Sequence, residues 1–89
     1  MQMSGLPGSD LIEQGLCDLS EGRETAEALL VAISAPRLCR LGFDVLTLES
    51  PEHRLYELLA RDDPDGAHSR YNALIRRLVS FERAAECVA

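Results

Sequence analysis

Residues 67–84 read AHSRYNALIRRLVSFERA. Tyr71, Leu74, Ile75 and Leu78 recur at steps of three and four, the spacing of one face of an α-helix. Phe81 and Ala85 continue that face with the slow drift of a straight helix. The stretch therefore predicts a long helix, starting near Asp65 and running close to the end of the chain. Arg70, Arg76, Arg77 and Arg83 decorate its remaining surface. Whether those arginines meet a partner or only wall a helical domain is the functional question.

The segments before it read in the same way. Ser9 or Asp10 is placed to cap a first helix, with Glu13 three residues after Asp10 as a capping-box partner. Leu11, Ile12, Leu16 and Leu19 give that helix an apolar side, and Gly15 weakens it by about 1 kcal/mol relative to alanine. Asp18 or Ser20 marks the next break. EGRETAEALLVAIS, residues 21–34, then favours helix through Ala26, Leu29, Leu30 and Ile33, with Glu21, Glu24 and Glu27 near its positive end. Pro36 should stop it near Ser34.

PRLCRLGF, residues 36–43, suits one short turn of helix, entered at proline and left at Gly42. Arg37 and Arg40 share a face at spacing three, as do Leu38 and Leu41. Residues 42–50 are ambiguous. Val45 and Thr47 tolerate a strand, yet one strand has no partner elsewhere in the chain, so a linker is the expectation and an edge strand the alternative. Ser50, Pro51 and Glu52 supply a capping oxygen, a preset first residue and an early acid for the next helix. Leu55, Leu58 and Leu59 face one way along it, with Tyr56 beside them. Asp62, Asp63, Pro64, Asp65 and Gly66 end it in a turn-rich cluster. The expected fold is all-α: a small orthogonal or up-down bundle of four to five helices, with a flexible arm at 1–8 and one domain over 9–89.

Bulk properties narrow the function classes. The 89 residues leave room for one domain. Apolar residues are 46% and charged residues 27%, which is a globular balance and too apolar for full disorder. A net charge of -6 argues against a duplex-DNA binder, which usually shows a basic footprint. Three widely spaced cysteines, with no Cys-x-x-Cys pair, do not resemble a secreted disulfide scaffold. The expected location is the cytoplasm. The longest apolar run, ALLVAI at 28–33, is too short to cross a membrane, and the start, MQMSGLPGSD, lacks the pattern of a signal peptide.

No motif assigns chemistry. His53 and His68 belong to no metal-binding spacing. Cys17 and Cys39 lie among leucines and are expected to be buried, and Cys87 sits in a terminus prone to fraying. Asp62, Asp63 and Asp65 lack the ligand count of a calcium loop. No metal or cofactor is expected. Residues 51–60 and 66 onward have the order of a helix-turn-helix, but the intervening aspartates would repel phosphate at the start of the reading helix.

The expectation is a non-catalytic module that binds a protein partner or a second copy of itself, as a homodimer. Its contact residues would be Arg37, Arg40, Arg70, Arg76, Arg77, Tyr71 and Phe81. A nucleic-acid-associated regulator using an arginine face is the alternative. An enzyme comes third, since no polar groups converge at motif spacing.

Overall fold

A chain with this pattern can bury its apolar faces only helix against helix, and the computed structural model, which describes residues 5–45 and 47–88, does so with five helices. Half of the predicted arm, residues 1–4, lies outside the described residues, as do Leu46 and Ala89. The helices are α1 (Ser9–Ser20), α2 (Ala26–Ile33), α3 (Ala35–Arg40), α4 (Pro51–Asp62) and α5 (Ala67–Val88). The all-α bundle expected from the sequence is the observed fold, and no strand occurs among the described residues.

α2 is the centre of the bundle and touches α1, α3, α4 and α5. Its sequence predicts an apolar stripe, but five consecutive residues, Ala28 to Ala32, are buried. A helix surrounded by others loses its solvated side and becomes apolar all round. Its start also differs from expectation. Glu21 to Glu24 stay outside the helix, and Thr25 is the cap, its hydroxyl accepting a hydrogen bond from the Ala28 amide at 3.1 Å. The end falls at Ile33 with Ser34 beyond it, where Pro36 places it.

Two predicted caps are replaced by backbone geometry. α1 is entered through Gly8 in the left-handed conformation (φ 77°) with no side-chain cap, rather than through Ser9 or Asp10. Ser50 precedes α4 as expected, but its side chain makes no capping bond, and it is left-handed (φ 49°). At the turn before α5, Asp63 accepts from the Gly66 amide at 3.1 Å. That bond closes the acidic loop on itself.

α5 sends Ala67, Leu78, Phe81, Glu82 and Ala85 inward. Phe81, Leu29, Leu30, Leu38 and Leu55 are almost completely enclosed and belong to one apolar cluster. The described part of 42–50 is linker, tethered to that cluster by Val45, Phe43 and Leu48. All three cysteines are exposed. This corrects the expected burial of Cys17 and Cys39. Each has leucine neighbours in sequence, but a helix turns 100° per residue and points those neighbours elsewhere.

Candidate functional site

The five arginines predicted to meet a partner separate into three places. Arg70 lies at the start of α5 and pairs with Asp62 across the turn at 3.0 Å. Arg77, at mid-helix, reaches Asp10 at the start of α1 at 3.2 Å. Beside it, Arg76 lines a hollow of about 190 Å³ with Pro7, Gly8 and Ser80, and makes no ion pair among the described residues. Arg37 and Arg40 lie on α3, against the far end of α5. Arg70 and Glu86 are sixteen residues apart on α5, about 24 Å along the axis. One continuous arginine face is therefore not formed.

Of the two aromatic candidates, Phe81 is completely buried, and its ring serves the core rather than a surface. Tyr71 is half-buried and stacks at a tilt on Tyr56 of α4, with ring centroids 5.8 Å apart. Burial, with a smaller effect of Glu52, raises the Tyr71 phenol above its usual range, so it stays neutral.

The α3–α5 contact has the most organised polar chemistry. Glu82 falls inside the apolar stripe of α5, four residues after Leu78 and three before Ala85, so the helix carries its carboxylate into the interior. Its side chain is 8% exposed. Ser34, also buried, donates its hydroxyl to Glu82 Oε2. Arg37 Nη1 approaches Glu82 Oε1 at 3.4 Å and Glu86 Oε1 at 3.7 Å. Two anionic groups thus share one guanidinium. A hollow of about 360 Å³ opens beside them, lined by Arg37, Arg40, Leu41 and Glu86. Arg40 is exposed and forms no ion pair among the described residues.

A second buried acid was also missed in the sequence. Asp18 accepts hydrogen bonds from Thr25 Oγ1 at 2.7 Å, Gln14 Nε2 at 2.9 Å and Arg23 Nη2 at 3.0 Å. The Thr25 hydroxyl does most to hold its carboxyl below the usual range, against the opposing effect of burial. Every donor comes from its own neighbourhood, and the pattern is that of a structural clasp between α1 and the start of α2. The signal was its position: Asp18 lies three residues after Gly15, on the side of α1 that meets α2.

The remaining candidates do not assemble a reactive centre. Cys17 donates to Glu21 Oε1 at 3.2 Å, and that bond with the carboxylate's charge raises its thiol pKa, the opposite of an activated nucleophile. His53 pairs with Glu57 one turn along α4, and His68 Nε2 meets the Asn72 side-chain amide at 3.1 Å. Among the described residues no cluster of three metal-ligating side chains occurs, and no helix is long and apolar enough to cross a membrane. No protein-family model, curated protein or solved structure matches this chain.

Proposed function

We propose that this chain is a non-catalytic interaction module, and that it docks a protein partner through the hollow between α3 and the end of α5. The observation that carries the reading is the exposed Arg40 guanidinium there, which forms no ion pair among the described residues. Glu86 lines the same hollow but lies toward Arg37, at 3.7 Å, while the buried Glu82 holds Arg37 from the other side at 3.4 Å. In a molecule of net charge -6, a surface with unmatched cation favours an acidic partner. Arginine suits such a contact because its planar fork binds carboxylates bidentately.

The nucleic-acid alternative has weaker support. Arg37, Arg70 and Arg77 each face a local acid, and the five arginines are distributed along the bundle. Self-association through α5 has one supporting observation. Tyr56 is 40% exposed and stacks on Tyr71, with Leu74 and Ile75 half-buried further along the helix. The rest of the apolar face is occupied by the protein's own core.

A photo-crosslinker at Leu41, which lines the hollow, should join the chain to a discrete protein in its native cells. Arg40→Gln should abolish the adduct, and the purified partner should bind the wild type but not the variant. An adduct formed from Tyr56 and not from Leu41 would move the contact to the tyrosine face. No adduct from either position would defeat the interaction reading.

A further inference from the structure

We infer that the Arg37–Arg40 hollow recognises a carboxylate on an acidic peptide segment, and that Glu86 is its built-in competitor. The inference rests on the docking reading above and gives that site its ligand chemistry. Glu82 is fixed: it is buried, and the Ser34 hydroxyl holds one of its oxygens. Glu86 is not fixed. Its side chain is 51% exposed, and its 3.7 Å approach to Arg37 exceeds a hydrogen-bond distance. It lines the same hollow as Arg40. An incoming carboxylate would engage Arg40 directly and take the Arg37 face that Glu86 now occupies.

The wall also contains Leu41, half-buried and apolar. A glutamate side chain brings methylenes to cover it along with a carboxylate for the arginines, whereas a bare inorganic anion brings only charge. Charge complementarity is local. At longer range the net charge of -6 repels an acidic ligand, so recognition depends on these contacts and not on steering. Removing the charge of Glu86 should therefore strengthen binding, although it removes an apparent ion pair.

The probe is capped hexaglutamate, titrated into the full chain while the Arg Nε–Hε resonances are followed by NMR. Resonances of Arg37 and Arg40 should shift. Arg40→Gln should weaken binding about ten-fold. Glu86→Gln should tighten it about three-fold, the scale of one exposed ion pair. Glu13→Gln, on exposed α1 surface, makes the same change in net charge outside the hollow and should leave affinity unchanged.

Absence of shifts at Arg37 and Arg40 would overturn the carboxylate assignment, as would equal shifts with capped hexaglutamine or with inorganic phosphate. Equal tightening by Glu13→Gln and Glu86→Gln would overturn the competitor role. Either result leaves the cross-linking test of docking independent, since that test detects a partner of any chemistry.

Discussion

At the scale of single residues, the two buried acids behave differently from the surface charges around them. Asp18 has its carboxyl pKa lowered in the fold, chiefly by Thr25. The stability this contributes is complete above the ordinary carboxylate range and is lost as pH falls through the depressed value. Thermal unfolding followed from neutral to strongly acidic pH should show that loss, and Asp18→Asn should flatten it. An unchanged acid limb in the variant would show that another carboxylate controls acid unfolding. Ser34 and Glu82 make the complementary case. Ser34→Ala leaves a buried carboxylate oxygen without its hydroxyl donor, a change expected to cost about 1–3 kcal/mol. Urea unfolding measures it, and a loss near zero would mean that water replaces the hydroxyl. Cys17 should be alkylated slowly at neutral pH, and Glu21→Gln should speed the reaction by lowering the thiol pKa. A rate unmoved by the substitution would remove Glu21 as the cause.

At the scale of elements, Gly15 shows how a local rule and a packing requirement oppose each other. Helix propensity makes alanine better than glycine there by about 1 kcal/mol. A Cβ at Gly15, however, would collide with the Glu27 carbonyl oxygen and a methyl of Val31 where α1 crosses α2. Backbone cannot swing aside as a flexible side chain can. Gly15→Ala is therefore expected to destabilise the protein by about 1–3 kcal/mol, measured by denaturant midpoint. Stabilisation instead would show that α1 and α2 can separate without loss. The same crossing explains why α2 starts later than its local pattern predicts. Glu21 to Glu24 were available for helix by propensity, but the chain must reverse after α1. Asp18 fixes that reversal by accepting from Arg23 and Thr25, and so pushes the start of α2 to Ala26.

At the scale of the whole molecule, the long apolar face of α5 raises the question of a second copy. Leu78, Phe81 and Ala85 are spent inside the bundle. Among the described residues, the large apolar side chains that remain exposed are Tyr56 and Val88. Monomers commonly carry isolated exposed apolar residues, so these do not by themselves require a dimer. If the homodimer forms through the tyrosine face, sedimentation should show concentration-dependent mass in the micromolar range, and Tyr56→Ala should abolish it. A constant monomer mass across that range would remove the homodimer.

The sequence by itself determined the class of fold, narrowed the number of helices to four or five, and marked the ends set by proline and glycine. Apolar spacing of three and four, Pro36, Pro51 and Gly42 act over a few residues, and such short-range signals need no knowledge of the rest of the chain. It also marked Arg37 and Arg40 as neighbours on one turn. Only the tertiary structure decided that Phe81 belongs to the core, that Cys17 and Cys39 face outward, and that the five arginines divide among three places. It also brought Ser34 and Arg37 to Glu82 and Glu86 of α5, 45 or more residues further along the chain. That difference has one physical cause. Periodicity tells which side chains share a face of a helix, while burial and charge pairing depend on which other helix covers that face.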